Sequence, residues 1–190
     1  NLYNSGTQKS NLVIMNIFTV DLNPVTAAES LCDKHIPKMA VETTQMLVSA
    51  LRRHGATDSE VPLTKAGTPH KGGYSNHPCT VWAGDTNNNF YWLLAHGLGL
   101  VEEYTHRYGK QHACEDQLWH ISSLNGRRNY IPKGDLTWVA LAIGEHQPKD
   151  LTHAPMSVAV DFYRQFYRDD KKAFAKWEKD PSRQPDWWLN

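Results

Sequence analysis

A polar face with the side chains of acid–base chemistry is predicted between Asp33 and His54. If this stretch is a helix, polar residues spaced by three and four positions lie along one side of it. The members of that side are His35, Lys38, Glu42, Gln45, Ser49 and Arg52. The helix would therefore present one carboxylate flanked by a histidine, an amine, an amide and a guanidinium.

Glu42 is the best candidate for a general acid or base on this face. A carboxylate with cationic and amide neighbours can be held ionised or poised for proton transfer. The alternative is a solvated face on which Glu42 only forms an ion pair with Lys38. Such a pair stabilises a helix by at most roughly 0.5 kcal/mol. A second polar set consists of His96, Glu103 and Arg107. It too could be a catalytic group or a solvated helix face, and here we favour the solvated face.

Two His-x-Cys pairs raise the question of a metal site. His77 precedes Cys79 and His112 precedes Cys114, each by two residues, and zinc takes four such nitrogen and sulfur ligands. Neither pair has the Cys-x-x-Cys or His-Glu-x-x-His form of a specific zinc motif. We therefore expect these four residues to pack or to form hydrogen bonds, and we predict no metal and no cofactor.

Basic and aromatic residues alternate near the C-terminus, from Tyr163 to Arg168. This pattern suits a surface that contacts phosphates through Arg164 and Arg168 and stacks on bases. The alternative, which we favour, is an ordinary amphipathic helix with its aromatic side chains inward and its basic side chains outward.

Composition limits the function classes. The chain has 190 residues with 20 basic and 20 acidic side chains, so net charge gives no attraction to nucleic acid unless basic groups gather on one face. Three cysteines, an odd number, do not indicate a disulfide scaffold and favour a reducing cytoplasm. We predict one domain over residues 15–190, preceded by a polar extension, residues 1–14, that need not be native.

The patterns predict an all-α fold, a compact helical bundle with a short extended segment at residues 17–20. Predicted helices open at Asn23-Pro24, run up to His54 before Gly55, start again at residues 76–78, and extend from Asp85 or Thr86 to Tyr108. A last helix is predicted over residues 155–177. Residues 56–74 and 123–153 are predicted to lack regular secondary structure, apart from a short apolar run at residues 136–143.

The segment from Asn16 to His54 resembles the amino-terminal part of the phage-type pyrimidine-dimer DNA glycosylases, the endonuclease V family of T-even phages. That family has an Asp-x-His run, a catalytic Glu seven residues after the His, and a basic helix end. Asp33, His35, Glu42 and residues 52–54 stand in those positions. Weaker similarity occurs at residues 90–109 and 183–188. A group of short phage proteins is closer still and shares further motifs, among them His77-Pro78-Cys79 and Arg107-Tyr108-Gly109-Lys110.

This resemblance implies a monomeric enzyme that flips a base out of damaged duplex DNA and breaks its glycosidic bond. The nucleophile would be the amino-terminal α-amine, which forms a Schiff base and gives an associated AP-lyase activity. Glu42 would act as acid and base, and His35 would orient the substrate. The expected DNA contacts are Lys34, Lys38, Gln45, Arg52, Arg53, Arg164 and Arg168. The setting would be the cytoplasm, that of the host cell for a phage-encoded protein.

The chain departs from this family at several positions. Met15 is followed by Asn16, a poor substrate for methionine removal, and Val41 and Gln45 stand where the family has arginines. Lys34 or Lys38 is therefore an alternative source of the amine. Two other function classes stay open: a metal-dependent phage enzyme acting on nucleotides, and a non-catalytic phage protein that binds a host partner.

Overall fold

The computed structural model describes residues 15–189, and this part of the chain is mainly helical. Its helices are α1 (Pro24–Glu29), α2 (His35–Arg53), α3 (Pro78–Asp85), α4 (Asn87–Tyr108), α5 (Glu115–Arg128) and α6 (Met156–Lys171). A two-stranded antiparallel sheet joins β1 (Val139–Ala140) to β2 (His153–Ala154). The predicted all-α class is confirmed. The predicted extension, residues 1–14, lies outside the described residues.

Local sequence signals set the ends of several helices as predicted. The Asn23 side chain accepts hydrogen bonds from the backbone N–H groups of Val25 (2.9 Å) and Thr26 (3.1 Å) at the start of α1. Thr86 caps α4 in the same way through the N–H of Asn89 at 3.2 Å. The left-handed backbone of Gly109 (φ +66°) then ends α4, because glycine adopts this conformation without strain.

Helix α4 is the central element and packs against α1, α2, α3 and α5. Two glycines let its neighbours approach closely. A Cβ atom at Gly97 would lie 2.8 Å from the Thr43 side chain of α2, and one at Gly99 would lie 3.2 Å from the Ala28 side chain of α1. The backbones of α1 and α2 therefore lie directly on α4.

The predicted extended segment, residues 17–20, is buried and belongs to no helix, and Phe18 with a φ of +56° turns the chain within it. Two local predictions need correction. The region read as irregular from residue 123 begins inside α5, whose apolar residues Leu118, Ile121 and Leu124 recur at helical spacing and are buried. Helix α6 ends at Lys171 and not near Trp177.

The three cysteines, Cys32, Cys79 and Cys114, are buried free thiols. Among the described helices none combines the length and the apolar character needed to cross a bilayer.

Candidate active site

Glu42 lies in the middle of α2 under the N-terminal segment, residues 15–20, and is only 6% exposed. Its Oε2 accepts a hydrogen bond from the backbone N–H of Asn16 at 3.1 Å, and its Oε1 lies 3.7 Å from the Lys38 ammonium. The solvated-face interpretation of α2 is therefore wrong for Glu42. It is also wrong for His35, which is 3% exposed.

The Asn16 side chain fixes the position of this backbone nitrogen. Its amide Nδ2 donates to the carbonyl of Ala142 at 2.8 Å. Its Oδ1 accepts from the backbone N–H groups of Ile17 (2.8 Å) and Phe18 (3.2 Å). Asn16 is almost fully buried, so the nitrogen of residue 16 is held against the Glu42 carboxylate by bonds on several sides.

His35, at the first position of α2, packs within an aromatic group that comes from both ends of the chain. Its ring stacks on Phe18 with centroids 4.7 Å apart, and its Nδ1 lies 2.8 Å from the Tyr167 hydroxyl. Burial lowers the pKa of His35 to about 3, with smaller contributions from the positive charges of Lys171 and Lys38. The imidazole is therefore neutral at physiological pH, and it can orient a substrate through hydrogen bonds but not through charge.

Three ammonium groups lie in this region, against two carboxylates that pair with them: Lys38 with Glu42 and Lys171 with Asp170. Lys34, His35, Lys38 and Phe174 line a cleft of about 380 Å³, and we refer to it as the α2 cleft. Lys171, at the end of α6, places its Nζ 5.0 Å from the Phe166 ring centroid and 5.5 Å from that of Phe18. A protein with zero net charge can thus attract a phosphate at one place.

The surroundings of Glu42 suit proton transfer. Burial raises the pKa of its carboxyl group above the ordinary range, while the Asn16 N–H and the charges of Lys38 and Lys171 act in the opposite direction. A carboxyl group with a raised pKa takes up a proton more readily, and nearby cations stabilise the ionised form after the proton leaves. Glu42 can therefore act as both acid and base.

Arg52 and Arg53 lie at the far end of α2, about 15 Å from Glu42 along the helix axis. The Arg52 guanidinium donates to the His70 carbonyl at 3.0 and 2.9 Å and pairs with Asp58 at 2.6 Å. Arg53 donates to the carbonyl of Val81 and pairs with Asp85, both at 3.0 Å. These arginines thus connect the end of α2 to the segments that contain Asp58, His70 and Asp85. Their contact with DNA remains a prediction.

Arg164 and Arg168 lie on α6 and face a second cleft, of about 720 Å³, between α1, α6 and the C-terminal turns. Arg164 donates to the Val20 carbonyl at 2.7 Å, and Arg168 donates to the Trp187 carbonyl at 2.7 Å. Tyr163, Phe166 and Tyr167 of the same helix are buried. The amphipathic interpretation of α6, with aromatic side chains inward, is confirmed.

The polar set of α4 is buried, so its solvated interpretation is wrong. Arg107 donates to Glu103 at 2.7 Å and to Asp33 at 3.0 Å. It also donates to the carbonyl of Glu29 (2.7 Å), the last residue of α1, and to that of Leu31 (2.9 Å), two residues further on. His96 is fully buried, with its Nδ1 2.9 Å from the Pro24 carbonyl. This set anchors α1 and the start of α2 to α4 behind the α2 cleft.

The two His-x-Cys pairs form backbone turns. His77 Nδ1 accepts from the Cys79 N–H at 3.2 Å, and His112 Nδ1 accepts from the Cys114 N–H at 3.0 Å. Over residues 15–189 there is no cluster of three or more His, Cys, Asp or Glu residues that could hold a metal ion.

Sequence reasoning missed four residues around Glu42 and His35: Phe18, Tyr167, Lys171 and Phe174. Tyr167 is 132 positions from the His35 it contacts, so no local spacing could pair the two. The Lys171-Lys172 pair was visible as a basic group, but only the packing of α6 shows that Lys171 lies near Glu42.

A family model described as pyrimidine dimer DNA glycosylase matches residues 15–116. No curated protein and no solved structure matches the chain. The matched residues include Asn16, His35 and Glu42 of the site, and they agree with the resemblance seen in the sequence. Because the match extends over more than half of the chain, the protein belongs to the pyrimidine dimer DNA glycosylase family, and its function lies in DNA repair.

Proposed function

We propose that this protein excises a damaged pyrimidine from duplex DNA in the α2 cleft, with an amine at residue 16 as the nucleophile. The observation that carries the proposal is the distance of 3.1 Å between the Asn16 nitrogen and Glu42 Oε2. In a chain that begins at Asn16 this nitrogen is an α-amine. It would then lie beside the acid–base group, in a position that its own side chain fixes.

The chemistry follows from these two groups. The amine attacks C1′ of the nucleotide, and a new C–N bond forms as the glycosidic bond breaks. The base leaves with the bonding electrons and takes up a proton from solvent. The attached nitrogen, now an ammonium group, loses one proton to the Glu42 carboxylate. Glu42 gives this proton to the ring oxygen as the C1′–O4′ bond breaks, and the nitrogen keeps its last proton in a protonated Schiff base. As a base, Glu42 next removes a C2′ proton, and the 3′ phosphate leaves by β-elimination.

An α-amine suits this role better than a lysine. Its pKa is about 8, against about 10.4 for a lysine side chain, so a larger fraction is unprotonated near neutral pH. Lys34 and Lys38 remain the alternative amines. The Lys38 side chain is 47% exposed, and its Nζ lies 3.7 Å from Glu42 Oε1.

The remaining roles belong to the same proposal. His35 orients the extruded nucleotide, and Lys34, Lys38 and Lys171 bind its flanking phosphates. Gln45, Arg52, Arg53, Arg164 and Arg168 are further DNA contacts outside the reacting centre. We propose a monomer that acts in the cytoplasm and cleaves the strand after base removal. No observation favours a metal-dependent enzyme or a non-catalytic binding protein.

Borohydride trapping tests the nucleophile. Duplex DNA with an abasic site is mixed with the full chain and with a protein that begins at Asn16, and each Schiff base is reduced to a stable adduct. We expect little adduct from the full chain, because its residue 16 nitrogen is an amide. The shorter protein should trap strongly, and the same protein with Glu42→Gln should trap less.

Release of damaged pyrimidines from a panel of lesion-containing duplexes completes this test. Strong, equal trapping by both proteins would contradict the role of residue 16, and substitutions of Lys34 and Lys38 would then locate the amine. The absence of trapping by either protein, together with no base release from any lesion, would overturn the proposed function.

A further inference from the structure

The polar face of α2 continues beyond Glu42, where it holds a loop, residues 70–77. Ser49 Oγ donates to the Gly73 carbonyl at 2.9 Å and accepts from the Gly73 N–H at 2.8 Å. Arg52 donates to the His70 carbonyl one helical turn further on. The side chains predicted to be a solvated or DNA-binding stripe therefore fix this loop on α2.

Two glycines bring the 70–77 loop close to the helix. A Cβ atom at Gly72 would lie 2.3 Å from Ser49 Oγ and 2.9 Å from the Ser49 backbone nitrogen, and one at Gly73 would lie 3.4 Å from the Gln45 side chain. Gln45 lies three residues after Glu42, on the same face of α2. The backbone of Gly73 thus lies against a residue about one helical turn from the acid–base group, and the next residue continues from there.

That residue is Tyr74, and its conformation is unusual. Its φ is +53°, which is uncommon for a residue with a large side chain and unfavourable unless the surroundings impose it. The side chain is 50% exposed, and within residues 15–189 neither its ring nor its hydroxyl group has a partner. The backbone is fixed by a hydrogen bond from the His77 N–H to the Tyr74 carbonyl at 2.9 Å.

A second exposed apolar side chain lies on α2. Val41 is 42% exposed and lies one turn before Gln45, the residue that the 70–77 loop approaches. Tyr74 and Val41 are thus exposed and uncharged, whereas Lys34 and Lys38 line the cleft itself. Uncharged, apolar side chains suit bases better than phosphates.

We infer that Tyr74 enters the space that an extruded nucleotide leaves in the duplex and stacks on the adjacent base. This inference rests on the proposed function. An enzyme that acts on a base must take it out of the stack, and the remaining gap is unfavourable unless a side chain fills it. An exposed, unpartnered aromatic ring, on a loop that α2 holds next to the face carrying the acid–base group, has the chemistry and the setting for this role.

Binding measurements on the full chain test the inference. The affinity for a duplex with an abasic-site analogue is compared with the affinity for the intact duplex, in the unchanged chain and in Tyr74→Gly. Glycine removes the ring and also relieves the φ of +53°, so the substitution does not threaten the fold. We expect the preference for the abasic duplex to fall by about 5- to 150-fold.

Two further variants serve as controls. Tyr74→Phe keeps the ring and should stay within about twofold of the unchanged chain, because stacking does not need the hydroxyl group. Tyr91→Ala removes another exposed tyrosine, on α4 and 40% exposed, and should have no effect. A 2-aminopurine base next to the abasic site should become brighter in the Tyr74→Gly complex, because the quenching ring is lost.

The outcomes separate this inference from the proposed function. An unchanged preference and unchanged 2-aminopurine signal in Tyr74→Gly would overturn the role of Tyr74, while trapping at Asn16 would still support the glycosylase. If the unchanged chain itself shows no preference for the abasic duplex, the role of Tyr74 is overturned. The trapping experiment then decides separately whether the proposed function survives.

Discussion

At the scale of single residues, the central feature is a carboxylate placed against a backbone nitrogen. Glu42 accepts its bond from Asn16 at 3.1 Å, and the chain makes this contact across 26 positions. Asn16 contributes more than its nitrogen, because its side-chain bonds to Ala142, Ile17 and Phe18 fix the direction of that nitrogen. A small residue such as alanine would keep the nitrogen but lose this positioning.

Glu42→Gln is predicted to abolish base release with little loss of stability. The glutamine amide oxygen can still accept the Asn16 N–H, so the fold keeps its contact, whereas proton transfer is lost. We expect base release in single turnovers, from a protein that begins at Asn16, to fall by about 100- to 10,000-fold. The exposed Glu102→Gln on α4 is the matched control and should behave like the unchanged protein.

Unfolding in urea separates the two interpretations of that result. Full activity of Glu42→Gln would contradict its role in proton transfer. A loss of several kcal/mol in the free energy of unfolding would show instead that Glu42 belongs to a buried structural network.

At the scale of elements, α4 positions the site from behind. Arg107 donates to the last carbonyl of α1, to the carbonyl of Leu31 and to the Asp33 side chain, and so holds the segment that connects α1 to α2. The 70–77 loop packs near the opposite end of α2, where Ser49 and Arg52 hold it by hydrogen bonds. Polar side chains that read as solvated faces in the sequence thus hold helices and loops in place around Glu42.

Arg107→Met is predicted to destabilise the protein by about 3–5 kcal/mol, because it leaves the buried Glu103 without its closest cation. Urea unfolding at neutral pH measures this change. The matched control is Arg127→Met on the exposed side of α5, for which we expect a change below about 0.5 kcal/mol. A small effect of Arg107→Met would contradict the anchoring role. Adding Glu103→Leu to Arg107→Met should recover part of the loss, since the more deeply buried of the two carboxylates that Arg107 pairs with is then removed, while Asp33 still lacks its partner.

At the scale of the whole molecule, buried groups link stability to pH. Burial lowers the pKa of His35 to about 3 and that of His96 to about 4. Both histidines titrate near 6.5 in the unfolded chain. As the pH falls below about 6.5, the unfolded chain takes up protons that the folded protein does not, so the folded state loses stability.

The predicted result is a free energy of unfolding that decreases between pH 6.5 and pH 4.5. The pKa of Glu42 is raised, so at pH values above its unfolded pKa this group stabilises the folded state as the pH falls. It opposes five histidines, because burial also lowers the pKa of His70, His77 and His112. Urea unfolding at several pH values measures the slope. His96→Asn should make the slope shallower, because one of the buried histidines that resist protonation is then removed. A flat profile in the unchanged protein would contradict the prediction.

The sequence by itself determined those features that depend on near neighbours. Asn23, Thr86 and Gly109 set helix ends through bonds and backbone preferences within a few residues. The spacing of polar residues on α2 brought His35, Lys38 and Glu42 to one face because a helix repeats every 3.6 residues. The motif around Glu42 was sufficient to indicate the family, which the match over residues 15–116 confirmed.

Only the tertiary structure decided which polar faces are covered and what completes the cleft. A stripe of polar residues has the same pattern whether it meets water or a polar partner, so the burial of Glu42 and Arg107 could not be read from spacing. The nitrogen of Asn16 and the side chains of Tyr167 and Lys171 reach the site from distant parts of the chain. Packing of α1, α4 and α6 sets these contacts, and no local pattern encodes them.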